Sequence, residues 1–213
     1  MIFASFIVLL FGYLIGCILG SNIAYFLTGI NIKNTGSKNA GATNAVISLG
    51  WKYGIMVVII DIGKAIIAIL TVQYILSNFS FSQHELEVLS YITGGAVIIG
   101  HNFPFHMNFN GGKGTASLVG FLLAMSWKIG LLAIISFFAF AFIFNYLIVG
   151  VFQLYIILII QALNESTVIP AFIAIILLIV AIVLHLENIN RILDGKEPKM
   201  SILYKRHEAS IDQ

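Results

Sequence analysis

The sequence is poor in charged residues, which make up only 9% of its 213 residues, whereas hydrophobic residues make up 60%. A soluble globular domain usually contains about 25% charged residues. The composition therefore excludes that class and predicts an all-α, polytopic integral membrane protein that forms one domain over residues 1–213. At roughly 20 residues per span with short connections, the chain has room for about seven transmembrane helices.

Cysteine is also scarce, because Cys17 is the single one. Neither a disulfide framework within the chain nor a cysteine metal site can therefore form. His101 and His106 have no carboxylate or cysteine ligands nearby at metal-binding spacing, so we expect no metal. The first residues lack Lys and Arg and their apolar run exceeds a signal-peptide core, so we interpret Ile2 to about Leu27 as the first span.

Charged and polar residues divide the remaining apolar sequence into further spans. We predict them near residues 53–76, 89–105, 115–127 and 167–184. No charged residue lies between Lys128 and Glu165, and at about 1.5 Å per residue this stretch is too long for one crossing. It must contain two spans joined by a turn, which we place near Asn145, Tyr146 and Gly150.

Basic residues indicate how these spans are oriented. If the N-terminus lies outside, Lys128 is the one basic residue that falls outside. Lys64 lies within a span and is not counted. The basic residues that fall inside are Lys33, Lys38, Lys52, Lys113, Arg191, Lys196, Lys199, Lys205 and Arg206. The positive-inside rule therefore predicts N-out and C-in. Cytoplasmic loops then cover residues 29–52 and 100–114, the tail covers 186–213, and Ser21 and His185 lie at the same face.

The central loop contains Gly111-Gly112-Lys113-Gly114, in which glycines surround a lysine suited to phosphate. It is not a Walker A loop, because Met107 stands at the place of that motif's first glycine and Gly114 follows Lys113 in place of Ser or Thr. Nucleotide binding is therefore not indicated.

Residues 36–44 of the first loop combine glycines with Ser37, Asn39, Thr43 and Asn44. Their backbone N–H groups can form an anion nest, and an ordinary solvated turn is the alternative.

Asp61 and Lys64 are predicted to share one face of the second span, because they are three residues apart. An isolated charge would be costly in hydrocarbon, so we expect a mutual ion pair, which could be purely structural. His185 and Asn188 share a helical face at the inner interface. A lone interfacial histidine is often only a solvated cap, and a catalytic role is the alternative.

Taken in order, these motifs resemble the PlsY family of bacterial integral membrane glycerol-3-phosphate acyltransferases, which use acyl phosphate as donor. The resemblance covers nearly the whole chain. The motifs are Gly20-Ser21, Gly36-Ser37-x-Asn39-x-Gly41-Ala42-Thr43-Asn44, Asp61-x-x-Lys64, Gly100-His101-x-Phe103-Pro104, Gly111-Gly112-Lys113-Gly114, His185-x-x-Asn188-Ile189-x-Arg191 and Gly195-x-Glu197.

The resemblance implies a seven-span protein of the bacterial inner membrane with its active site at the cytoplasmic face. The implied reaction transfers an acyl group from acyl phosphate to the 1-hydroxyl of glycerol 3-phosphate, giving lysophosphatidic acid and phosphate for phospholipid synthesis. The implied partners are these two substrates and membrane lipids. We expect no cofactor, no nucleic acid and a monomer.

The resemblance also implies the site residues. The catalytic set is His185, Ser37, Asn39 and Lys113. The substrate-binding set is Ser21, Lys33, Gly36, Gly41, Thr43, Asn44, His101, Gly111, Gly112, Gly114, Asn188 and Glu197.

The chain departs from the family pattern at several anion-binding positions. Lys33 replaces an arginine, Lys38 a glycine, Asn145 an arginine, Ile148 a serine and Leu186 an arginine. These changes leave a second hypothesis open, a non-catalytic membrane paralogue that binds a phosphorylated lipid or its precursor. A small transporter is disfavoured, because it would place polar groups near the midplane in repeated halves, and no repeat is visible.

Overall fold

The structure, a computed structural model, describes residues 1–200, so the predicted tail cations Lys205 and Arg206 lie outside the described residues. Within residues 1–200 the secondary structure is helical, without strands. The α-helices are α1 (Ile2–Gly16), α2 (Gly20–Thr28), α3 (Ala42–Leu49), α4 (Trp51–Leu76), α5 (Gln83–Asn102), α6 (Thr115–Met125), α7 (Trp127–Phe144), α8 (Leu147–Leu163), α9 (Ile169–Leu184) and α10 (Leu186–Leu193).

Three segments of residues 1–200 are long and apolar enough to cross a membrane: Ile2–Thr28, Trp51–Leu76 and Trp127–Phe144. A fourth results if α9 and α10, which meet at a bend of 53°, are taken as one span. Helices α6 and α8 are apolar but shorter. The predicted count of seven spans and their orientation therefore stay predictions. Large apolar side chains such as Phe26 and Ile135 are exposed on the outer surface.

The first span is broken, because residues 17–19 separate α1 from α2. Glycines bring α1 directly against α5, since a methyl group at Gly16 would lie 2.3 Å from the carbonyl oxygen of Val97. A methyl group at Gly100 would lie 2.2 Å from the carbonyl oxygen of Tyr13. Small residues permit such close helix packing in membranes. The end of α5 therefore lies beside the break in the first span.

The predicted turn near residue 145 is confirmed, because α7 ends at Phe144 and Asn145 adopts the left-handed conformation, with φ of 61°. The placement of Gly150 in this turn is wrong, since Gly150 lies inside α8. A methyl group there would lie 2.6 Å from the carbonyl oxygen of Phe137. Gly150 thus allows α8 to pack closely on α7, and it does not reverse the chain.

Both predicted loops contain regular structure. Helix α3 lies within residues 29–52, where it follows Gly41 in extended conformation and ends at Leu49, before Gly50 with φ of 87°. Its buried Ala45 packs in a cluster with Val57 of α4, which accounts for this short helix. In the central loop, α5 continues to Asn102. The connections that carry the site are therefore shorter than the sequence predicted.

Candidate active site

The first loop is organised around the buried side chain of Asn44. Its amide nitrogen donates to the carbonyl oxygens of Ile32 at 2.7 Å, Asn39 at 2.9 Å and Thr35 at 3.2 Å. Its amide oxygen accepts a hydrogen bond from the backbone N–H of Ser37 at 2.8 Å. Asn44 was predicted to bind substrate, whereas here its polar atoms hold the shape of the loop.

Ser37, Asn39 and Thr43 differ from Asn44, because within residues 1–200 their side chains make no hydrogen bonds. Gly36, at φ of 55°, passes close to Asn44, and a methyl group at Gly36 would lie 2.2 Å from the Asn44 amide oxygen. The loop is therefore held internally, and its short polar side chains can bond a ligand.

Lys33 joins the first loop to the central loop. Its ammonium group donates to the carbonyl oxygen of Asn110. Burial lowers the pKa of Lys33 from its ordinary value. A second link joins the Asn22 amide nitrogen of α2 to His106 Nε2 at 2.9 Å. The two loops therefore lie side by side at one end of the helices.

The central loop is bonded to the end of α5. The N–H of Gly111 donates to the carbonyl oxygen of Asn102 at 2.9 Å, and the N–H of Gly112 donates to that of His101 at 3.1 Å. A methyl group at Gly111 or Gly112 would lie 2.1 Å from the His101 carbonyl oxygen or from His101 Nε2, respectively. Glycine is therefore required at both positions. Gly114, at φ of 78°, then starts α6.

Lys113 extends from this loop to α10. Its ammonium group donates to the amide oxygen of Asn188, whose amide nitrogen donates to Glu197 Oε1 at 2.7 Å. The other Glu197 oxygen accepts from Arg191 Nε at 2.6 Å. Burial lowers the pKa of Lys113, and the positive charge of Arg191 lowers it further. Lys113 and Arg191 are thus joined through Asn188 and Glu197, and a second carboxylate, Glu187 Oε2, lies 4.0 Å from Arg191 Nη1. Two neighbouring cations of this kind can bind a phosphate group.

His185 lies at the junction of α9 and α10 and is buried. Its Nδ1 is 2.8 Å from the carbonyl oxygen of Ala181, so Nδ1 carries the proton and Nε2 is an acceptor in the neutral ring. Burial, more than any other factor, lowers the pKa of His185 to about 4. The ring is therefore neutral near pH 7 and can accept a proton.

The remaining predicted residues are more deeply placed. Ser21 is buried at the start of α2, and its hydroxyl has no hydrogen-bond partner within residues 1–200. His101 is buried beneath the central loop, where its ring contacts Gly112. No hydrogen bond within these residues joins Ser37 or Asn39 to Lys113.

Arg191 was not predicted as a site residue. The sequence did carry a signal for it, because 185, 188 and 191 recur at a spacing of three, which places side chains on one helix face. Within residues 1–200, no three histidine, cysteine or acidic side chains come together as a metal site.

The chain is similar in sequence to known glycerol-3-phosphate acyltransferases over most of its length. The sequence model of the glycerol-3-phosphate acyltransferase family matches residues 6–195. Glycerol-3-phosphate acyltransferase 1 of Oceanobacillus iheyensis is 46% identical over 92% of this chain and 94% of its own length. The glycerol-3-phosphate acyltransferase of Thermoanaerobacter pseudethanolicus is 37% identical over 88% of this chain and 91% of its own.

Two crystal structures of PlsY, an integral membrane glycerol 3-phosphate acyltransferase, are similar over most of the fold. The glycerol 3-phosphate form has a TM-score of 0.80 and 29% identity, covering 94% of this chain and 97% of that one. The lysophosphatidic acid form has a TM-score of 0.77 and 28% identity, covering 92% and 94%. Together with the apolar helices, this similarity identifies a multi-pass membrane protein. The chain belongs to the glycerol-3-phosphate acyltransferase family.

Proposed function

We propose that this protein transfers a fatty acyl group from acyl phosphate to the 1-hydroxyl of glycerol 3-phosphate, releasing phosphate and lysophosphatidic acid for phospholipid synthesis. Membership in the acyltransferase family supports this reaction. The observation that carries it is the placement of Lys113, Asn188 and Arg191 around Glu197, close to a neutral His185.

The phosphate of glycerol 3-phosphate binds at Lys113 and Arg191. Both groups are partly withdrawn from water, where charge-assisted hydrogen bonds to phosphate are stronger than in bulk solvent. Three positions that are arginine in the family pattern are Lys33, Asn145 and Leu186 in this chain. Arg191 still supplies a guanidinium group.

The acyl phosphate binds through its phosphate at the first loop. The side chains of Ser37, Asn39 and Thr43 provide donors that the loop does not use itself, whereas the backbone N–H of Ser37 is already bonded to Asn44. The acyl chain lies along apolar helix surfaces that face the bilayer. Because acyl phosphate is an activated mixed anhydride, positioning and charge stabilisation suffice, without a covalent enzyme nucleophile or a cofactor.

In the chemical step, the 1-hydroxyl oxygen attacks the carbonyl carbon of acyl phosphate. A new ester bond forms, and the bond between the carbonyl carbon and the phosphate oxygen breaks. His185 Nε2 accepts the hydroxyl proton, while the carbonyl of Ala181 holds the ring through Nδ1. The alternative acceptor is the leaving phosphate, in which case His185 orients glycerol 3-phosphate.

The charge distribution supports a proposal for the location of the site. We place the protein in the bacterial inner membrane as a single domain of about seven spans, N-out and C-in, with the active site at the cytoplasmic face. The joining of Lys33, Lys113 and Arg191 at one end of the helices supports this orientation, since basic residues favour the cytoplasmic side. One chain supplies all the site residues, so we propose a monomer.

The test uses purified protein in lipid, with an acyl phosphate or an acyl carrier protein thioester as donor and glycerol 3-phosphate as acceptor. We expect lysophosphatidic acid from the acyl phosphate alone, and none with Lys113→Ala. Product from the thioester alone would refute the donor assignment. Thermal stabilisation by glycerol 3-phosphate without product from either donor would indicate the non-catalytic paralogue.

A further inference from the structure

A second group of charged side chains is buried where α4 and α5 meet the break in the first span. Lys64 Nζ lies 3.1 Å from Asp61 Oδ1 and 2.9 Å from His101 Nδ1. Asp61 Oδ1 is also 3.5 Å from His101 Nδ1. All three residues are buried, and the opposite charges of Asp61 and Lys64 compensate each other. None of them takes part in the proposed chemical step.

Two members of this cluster bond the backbone at the break. Helix ends leave carbonyl and N–H groups without helical partners. Lys64 Nζ donates to the carbonyl oxygens of Gly16 at 2.9 Å and Ile18 at 2.8 Å. Asp61 Oδ1 accepts from the N–H of Gly20 at 3.1 Å. The ion pair therefore holds the start of α2, and with it the neighbouring Ser21.

The third member reaches the central loop. Gly112 lies against the His101 ring so closely that a methyl group there would be 2.1 Å from Nε2. The carbonyl oxygen of His101 accepts from the N–H of Gly112 at 3.1 Å. The other edge of the ring contacts Lys64. A continuous set of contacts thus runs from Gly20 through Asp61, Lys64 and His101 to the residue before Lys113.

We propose that Asp61, Lys64 and His101 form a positioning cluster that fixes Lys113 relative to Ser21 for the binding of glycerol 3-phosphate. This inference rests on the proposed function. An ion pair that only joined helices would need no contact with the glycine loop. The cluster instead contacts both backbone segments that carry site residues. Loss of the cluster should therefore weaken the binding of glycerol 3-phosphate, in addition to any loss of stability.

The test is the double variant Asp61→Asn/Lys64→Met, which removes both charges together and leaves no unpaired buried charge. We expect the KM for glycerol 3-phosphate to rise about tenfold or more, because small misplacements of binding groups are costly, with kcat changed less than about threefold. The dissociation constant for glycerol 3-phosphate, measured by calorimetry without donor, should rise by the same factor.

His101→Asn provides a second, smaller change. Its amide can still meet Lys64 near the Nδ1 position, but it leaves the side of the ring that touches Gly112 empty. We expect the same rise in KM with a smaller loss of thermal stability. An unchanged KM in both this variant and the double variant would overturn the proposal.

The matched control is a partly buried polar pair that joins α7 to α8 and, within residues 1–200, has no hydrogen bond with the cluster or the two loops. Gln153 Nε2 of α8 donates to Ser136 Oγ of α7 at 2.8 Å. Ser136→Ala/Gln153→Leu should alter thermal stability and leave the KM unchanged. If the cluster variants behave in the same way, the cluster is only structural.

The binding measurement separates this proposal from the proposed function. Unmutated protein that binds glycerol 3-phosphate but forms no product would refute the acyltransfer, while the weaker binding of the variants would still support the positioning cluster. Failure of the unmutated protein to bind glycerol 3-phosphate would overturn both.

Discussion

The first loop and the central loop have similar compositions but are held in different ways. Both combine glycines with small polar residues and lysine, of which the first loop has three and the central loop one. The polar groups of the first loop bond largely to one another through Asn44. The central loop is bonded to the end of α5, and Lys113 reaches to α10. Composition alone therefore does not distinguish a self-supporting loop from one that depends on distant helices.

This difference predicts that a change in the central loop affects ligand binding most. Lys113→Ala removes the half-buried ammonium and should lower activity by about 10²-fold or more, since preorganised charge stabilisation is worth that much. Lysophosphatidic acid formation measures it. His84→Ala is the control, because His84 is exposed in the first turn of α5, at the opposite end of that helix from the central loop. Equal losses in the two variants would contradict the predicted topology.

Replacement of His185 should lower kcat by about 10²-fold, if its Nε2 accepts the hydroxyl proton. His185→Asn keeps a polar group but removes that acceptor. A rise in KM with little change in kcat would instead favour an orienting role, with the leaving phosphate as proton acceptor.

The pH dependence provides an independent check on His185. Its pKa is lowered to about 4, so the proton-accepting neutral form is lost only as the pH falls toward that value. We expect kcat to show no His185 transition between about pH 5.5 and 7.5. A decrease in kcat centred at about pH 6.5, the ordinary pKa of histidine, would contradict the burial of this ring.

Gly112→Ala tests how far the central loop depends on α5. The added methyl group would lie 2.1 Å from His101 Nε2, so the loop must shift. We expect about a tenfold rise in the KM for glycerol 3-phosphate. Gly63→Ala is the control, because a methyl group at Gly63 meets open space. Similar kinetics for both variants would show that the contact has no role.

Asn44→Ala should act on the first loop alone. It leaves the backbone groups of Ser37 and Ile32 without their side-chain partner, at a cost of about 1–3 kcal/mol in the free energy of unfolding. Thermal unfolding measures this loss. We expect the KM for acyl phosphate to rise more than that for glycerol 3-phosphate, and the reverse order would contradict the assignment of the two loops.

Local sequence features predicted some of this arrangement. The apolar runs placed the helices, and the turn at Asn145 followed from the length of the uncharged stretch. The ion pair between Asp61 and Lys64 followed from their spacing on one helix face. Each of these predictions depends on residues that are close in sequence.

Long-range contacts could not be predicted in the same way. The bonds from Lys64 to Gly16 and His101 depend on how α1, α4 and α5 pack together. The role of Gly150 depends on the close approach of α7 and α8, which sequence alone does not distinguish from a turn. The network through Glu197 likewise requires α10 to lie beside the central loop.

The most direct test of the account measures phosphate release and lysophosphatidic acid formation together, with purified protein, acyl phosphate and glycerol 3-phosphate. We expect equal amounts of both products from the unmutated protein, and neither from Lys113→Ala. Phosphate release without lysophosphatidic acid, or the same yields from both proteins, would contradict acyl transfer at this site.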